Sequence, residues 1–129
     1  MGHMLAGVAF DSTISVEMAH QISKIAEQLT YRQLCILKLC ANNSAFALKE
    51  GDYRKHGSFS KELYQVLYEC LDLYNRGFIS FGGSVAFGPT DVKPSDMKIQ
   101  GLGADLYNLM QLWAIPNEDL ILISRILKP

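Results

Sequence analysis

The side chains best suited to chemistry in this sequence are its histidines and cysteines. His20 follows Glu17 by three residues, so on a helix the two share a face and the carboxylate can orient the imidazole as a general base. No serine or cysteine stands beside them in sequence to serve as a nucleophile. His56 sits in a charged segment bracketed by Gly51 and Gly57. The cysteines Cys35, Cys40 and Cys70 all fall in apolar helical patterns, and their odd number rules out a closed disulfide framework, so each reads as a small core hydrophobe in a reduced interior. At ~100° per residue, Cys35 and Cys40 face roughly opposite sides of a helix and do not share a metal. The chain has no HExxH pair, no CxxC pair and no phosphate-cradling glycine loop. Gly101-Leu102-Gly103 lacks the third glycine and the βαβ unit of a dinucleotide site, so it reads as capping and close packing. The expectation is a protein without catalysis, metal or cofactor. A small enzyme using His20 or His56 is the third of three alternatives.

Binding chemistry is better represented. Twelve basic and 13 acidic side chains give a net charge of -1, so the total exerts no pull on phosphate or anionic lipid. The densest charge lies from Lys49 to His56, where Tyr53 beside Arg54 and Lys55 offers backbone contact together with base stacking. Tyr64 and Tyr68 stand one helical turn apart and offer a protein-binding flank, since tyrosine supplies a large contact area for little entropy. The carboxy-terminal third is unusually apolar: Trp113 joins Leu109, Leu112, Ile121, Ile123, Ile126 and Leu127. That stretch either completes the core or forms a two-fold dimer face, and the dimer or partner contact is favoured.

These residues need elements to place them. A length of 129 residues suits one domain, and 49% hydrophobic against 19% charged residues excludes a disordered or collagen-like chain. Met1-Gly2-His3-Met4 reads as the remnant of an expression tag, and residues 5–129 as a single domain excised from a longer cytoplasmic protein. No run approaches the ~18 apolar residues of a membrane span, so this segment is expected to make no membrane contact. Ser15 caps a helix with the stripe Met18, Ile22, Ile25, Ala26 and Leu29. Thr30-Tyr31-Arg32-Gln33 is a capping box with Leu29 and Leu34 as its hydrophobic staple, so a second helix starts there. Apolar groups nearly surround that helix, which makes it central. One or two helical turns follow from Ala45 to Glu50, and then an exposed loop. Ser60 caps a long helix with the stripe Leu63, Val66, Leu67, Cys70, Leu71 and Tyr74, stopped at Gly77. Phe78–Phe81 and Ser84–Phe87 flank Gly82-Gly83 as a hairpin would, and Met97–Gln100 is a possible added strand. Leu102, Leu106, Leu109, Met110 and Trp113 mark a further helix. Residues 117–127 close the chain as a helix or a strand.

The order of helix, central helix, irregular segment, long helix, hairpin and closing helices resembles a winged helix, and more closely the MarR-type regulators. Leu29-Thr30-Tyr31-Arg32-Gln33-Leu34-Cys35-Ile36-Leu37 is similar to the leucine-threonine pair and apolar run that open a helix in that family. Leu71-Asp72-Leu73-Tyr74-Asn75-Arg76-Gly77-Phe78-Ile79 resembles its passage from recognition helix through glycine into a strand. Ile99-Gln100-Gly101-Leu102-Gly103-Ala104-Asp105-Leu106 resembles the return from the wing into a helix. The likeness runs from Leu29 to Met110. It implies an α+β, mostly helical, winged-helix-like domain with a short β-hairpin wing and flanking amino- and carboxy-terminal helices. It also implies dimerisation through terminal helices and DNA reading by the segment Lys61–Arg76.

The departures point elsewhere. Glu62, Gln65, Glu69 and Asp72 recur opposite the leucines, so the flank that would face a duplex is expected to carry three carboxylates, with Lys61 and Arg76 only at its ends. Asp91 and Asp96 accompany Lys93 in the wing, and Gly51 and Gly57 interrupt the helix expected before Lys61. The leading expectation is therefore a non-catalytic regulatory or protein-interaction domain that binds a protein partner or itself through Tyr64, Tyr68, Trp113, Ile123 and Leu127. The runner-up is a DNA-binding transcriptional regulator using Lys49, Tyr53, Arg54, Lys55, Lys61 and Arg76.

Overall fold

A computed structural model describes residues 16–55 and 59–127. The tag remnant at 1–4, the apolar opening at 5–10, the Ser15 cap, His56 and Gly57 lie outside the described residues. The chain is α+β and mostly helical. Among the described residues five α-helices follow one another as α1 Val16–Gln28, α2 Tyr31–Ala41, α3 Lys61–Asn75, α4 Leu102–Leu109 and α5 Asn117–Ile126. Between α3 and α4 run two short strands, β1 Ile79–Phe81 and β2 Met97–Ile99, paired antiparallel with Ile79 opposite Ile99 and Phe81 opposite Met97. No helix among the described residues is long and apolar enough to cross a membrane.

Local signals fix the helix ends. The Thr30 box forms in both directions at 3.0 Å, Gln33 N–H donating to Thr30 Oγ1 and Thr30 N–H donating to Gln33 Oε1. Each bond satisfies an amide that the helix start would otherwise orphan. Ser60 Oγ accepts from Leu63 N–H at 3.1 Å and starts α3. The far end of α3 closes as a Schellman motif: Phe78 N–H donates to Leu73 O and Gly77 N–H to Tyr74 O, both at 3.0 Å. That closure requires the left-handed backbone that Gly77 adopts at φ +81°.

Every residue from Gln33 to Cys40 in α2 is buried, so it is the central helix, packed against α3, α5 and β2. Ile36, Leu37 and Leu39 are fully enclosed, and burying each side chain contributes about 1.5–3 kcal/mol. Lys38 reaches out of this core: its ammonium donates to the Ile115 carbonyl and, at 3.1 Å, to Asn117 Oδ1, tying α2 to the start of α5. The final element is a helix rather than a strand. Its Leu120, Ile123 and Leu127 enter the core, so Ile123 and Leu127 fill the interior and are not available to a partner.

Three other expectations give way to longer-range packing. Phe81 meets Ser84 in an isolated bridge across Gly82-Gly83, but the ladder partner of β1 is Met97–Ile99 and not Ser84–Phe87. Pairing with Met97 buries that side chain completely, whereas Ser84–Phe87 turns only Ala86 inward, its N–H donating to the Tyr74 hydroxyl at 3.4 Å. The helical turns expected from Ala45 to Glu50 reduce to one 3-10 turn, Asn43–Ala45. The stretch 48–54 instead runs as irregular chain, with Gly51 at φ +83°, between the wing and the chain end. Lys49 N–H donates to Leu127 O at 3.0 Å, Ser95 N–H donates to Lys49 O at 3.1 Å, and Tyr53 N–H donates to Thr90 O at 2.9 Å. Tyr53 is thereby buried to 0% exposure, which removes it as a stacking platform for nucleic acid.

Beyond these backbone bonds, a carboxylate ties the wing, residues 82–96, to that segment. Asp91 Oδ1 accepts Arg54 Nε–H at 2.6 Å, and its Oδ2 accepts the N–H groups of Phe87 and Gly88 at 2.9 and 3.2 Å. The guanidinium first and the Phe87 amide next hold the Asp91 carboxyl below its ordinary 3.8. Because the folded value lies below the unfolded one, this stabilisation is complete above the ordinary value and is lost as pH falls through the folded one. Urea denaturation should find Asp91→Asn less stable than the parent at neutral pH, with the gap closing on acidification below 3.8. A gap independent of pH would mean that the carboxylate charge plays no part.

Candidate interaction surface

The expected acidic flank of α3 divides in two. Glu69 turns toward the start of α2, accepting the Thr30 hydroxyl at 2.5 Å and pairing with Arg32, its side chain only 15% exposed. Asp72 Oδ2 accepts Gln33 Nε2–H at 2.8 Å and Arg76 Nε–H at 3.0 Å. Both acids therefore sit beside the amide-rich, positive end of α2, where carboxylates are stabilised; Glu69 is turned away from solvent, and Asp72 is ion-paired at its edge. Glu62 is free on the solvent side, and Asp72 keeps 44% of its side chain exposed while paired to Arg76.

What α3 does present outward is Lys61, Glu62, Tyr64, Gln65 and Tyr68. Tyr64 and Tyr68 are 41% and 53% exposed and meet edge to face with ring centroids 5.2 Å apart. Phe59 extends the row, its ring 6.3 Å from Tyr64 and 6.5 Å from buried Tyr53. An open, mostly apolar hollow of about 410 Å³ lies among Phe59, Ser60, Lys61, Tyr64 and Gln65.

The nucleic-acid residues are not brought together. Arg54 is held by Asp91 and, at 3.4 Å, by Asp52, while Arg76 is held by Asp72 and donates to Gln28 Oε1 at 3.0 Å. With Arg32 on Glu69, three of the four arginines in the chain are ion-paired. The Lys49 ammonium lies over the Tyr53 ring, 5.4 Å from its centroid. Lys55 and Lys61 are exposed.

Of the carboxy-terminal residues, Trp113 stays 52% exposed, its indole 6.0 Å from the Tyr107 ring. Ile121 and Leu122 are also exposed on α5. Beside them Tyr31 donates to Asp119 Oδ2 at 2.5 Å, and this bond raises the phenol above its ordinary range. The cysteines are all buried. Burial pushes the Cys40 thiol up to about 12 and raises Cys35 and Cys70 as well, which keeps them protonated and poor nucleophiles at neutral pH. His20 is exposed on α1, and no hydrogen bond joins it to Glu17 among the described residues.

One surface feature escaped the sequence reading. Phe87 is 87% exposed at the wing, with Val85 beside it at 58%. A signal was present in Phe87-Gly88-Pro89, because glycine weakens a strand and proline lacks the N–H that a ladder needs, so the apolar run ends at Phe87. No protein-family model, curated protein or solved structure matches this chain.

Proposed function

We propose that this chain is a non-catalytic, winged-helix-like regulatory or protein-interaction domain that docks another polypeptide on the outward face of α3. One observation carries the reading: the helix corresponding to a recognition helix presents an exposed tyrosine pair and a neighbouring phenylalanine where a DNA reader needs free cations. Tyrosine and phenylalanine are enriched in protein interfaces, and an edge-to-face pair already holds its rings in place. Ion-paired guanidinium groups at Arg32, Arg54 and Arg76 are poorly suited to phosphate contact, which adds support. The winged-helix likeness rests on the long helix followed by two antiparallel strands around the loop 82–96. Where a helix would precede α3 in a helix-turn-helix, residues 48–54 are irregular, which weakens a DNA-reading role.

Two measurements test the proposal. Anisotropy titration with a labelled random duplex at low and moderate salt is expected to show no salt-sensitive binding; a clear salt slope would transfer the function to the DNA-binding regulator. A photo-crosslinking residue at exposed Gln65 should give polypeptide adducts in cells, and one at exposed Lys98 should not. Nucleic-acid adducts at Gln65, or equal adducts at both positions, would count against the docking face.

A further inference from the structure

Four exposed side chains share one face of α5: Glu118, Ile121, Leu122 and Arg125, the two apolar ones at 43% and 59%. At ~100° per residue their spacing confines them to an arc of about 100°, opposite the side on which Leu120, Ile123 and Leu127 enter the core. Charge stands at the two ends of this face, an acid in the first turn and a base in the last, about 10 Å apart along the axis. Only Ile121 and Leu122 lie one turn from either, so neither charge meets an opposite one along its own helix. Arg32, Arg54 and Arg76 are ion-paired, and among the described residues Arg125 is the one arginine that is not.

The acidic end borders a second hollow, about 290 Å³, whose walls include Tyr31, Arg32, Glu118, Asp119 and Leu122 over the buried Cys35 and Ile123. Arg32 is spent on Glu69, and Asp119 Oδ2 accepts the Tyr31 hydroxyl, which leaves the Glu118 carboxylate with no cation at salt-bridge distance. A guanidinium on an apolar stem fits that end, with carboxylate for its charge and the half-exposed Tyr31 ring for its plane.

The chain supplies such a group in a matching register. The midpoint between positions 118 and 125 falls between 121 and 122. A two-fold axis through that point, with the helices antiparallel, sets Glu118 of one copy against Arg125 of the other at both ends, and brings the two apolar pairs together between them. The face is complementary to itself in charge as well as in apolar surface. We propose that α5 of one copy packs antiparallel on α5 of a second copy, each Arg125 reaching the Glu118 end of the other. A contact built on one ten-residue helix per copy belongs at the small end of the interface range, so the dimer is expected to exchange with monomer at micromolar concentration. This surface is additional to the α3 face and does not depend on it.

Sedimentation velocity on the full chain, from low to high micromolar concentration, tests the pairing. The parent should climb toward twice the chain mass. Glu118→Arg and Arg125→Glu should each raise the dissociation constant about tenfold or more, because each sets like charges together at both ends. Mixed in equal amounts, the two variants should regain the parent's association, since every facing pair in the mixed dimer is again of opposite sign, and the double variant E118R/R125E should regain it alone. Rescue separates lost contact from lost folding, because a variant that has unfolded is not restored by a partner of opposite charge. Should either reversal lower the melting temperature, Leu122→Ser beside the axis replaces it and must also dissociate the dimer. A parent monomeric across the whole range, a dimer indifferent to both reversals, a mixture no stronger than its components, or growth beyond two copies would each overturn the proposal.

Discussion

Gly103→Ala should destabilise the protein by at least about 3 kcal/mol, although glycine-to-alanine changes inside helices ordinarily stabilise by up to ~1 kcal/mol. A Cβ at Gly103 would stand 2.1 Å from the Phe78 carbonyl oxygen and 2.9 Å from the Phe78 carbonyl carbon and Cα. Those atoms cannot swing aside as a side-chain tip would. The Phe78 oxygen already accepts Gln100 N–H at 2.9 Å, and Phe78 leads directly into β1, so relief requires α4 to lift from the strand. Gly88→Ala is the matched control: nothing lies within 4 Å of its Cβ position, and its φ of -150° suits any residue. Urea denaturation of both variants checks the prediction. A Gly103→Ala protein as stable as the Gly88→Ala control would show that α4 and β1 are not in close contact.

The second large effect is expected at Tyr53. Tyr53→Ala should cost about 3–5 kcal/mol, as removal of a fully buried aromatic leaves a cavity that its neighbours fill only in part. Tyr53→Phe should cost about 1 kcal/mol, because it keeps the ring and loses the hydroxyl's bond to Leu127 O at 3.3 Å. Burial pushes that phenol up to about 12, so its proton stays in place throughout the neutral range. Equilibrium denaturation gives both values. Near-wild-type stability of Tyr53→Ala would return the residue to the surface and restore it as a candidate stacking platform.

Features legible in the sequence were those decided within a few residues. The Thr30 box, the Ser60 cap and the Gly77 stop each pair a backbone group with a partner three to five positions away, so their chemistry is written locally. Central placement of α2 followed from apolar residues on all sides. The close approach at Gly103 was also visible, as a small residue just inside a helix start. What was not legible depends on distant partners. Glu69 and Asp72 belong to an outward flank by helical spacing alone, and only the docking of α2 beside α3 supplies the partners that cover Glu69 and hold Asp72. Tyr53 sits in a charged stretch of sequence, but Thr90 and Leu127, far along the chain, draw it under cover. The partner of β1 was settled by which strand buries more, Met97 or Val85, and spacing does not register that competition. Helical spacing made the exposure of Tyr64 and Tyr68 legible, whereas the burial of Ile123 and Leu127 was not, because it depends on how the last helix docks on the core.

The irregular stretch beginning at Leu48 is gripped on one side by the wing and on the other by the end of α5, with Lys49 bonded through its main chain to both Ser95 and Leu127. Elements hydrogen-bonded to a common segment open as one cooperative unit rather than fraying independently. A molecule seizing the terminal helix would therefore be felt at the wing, and a ligand that quiets the wing would slow unravelling at the carboxyl end.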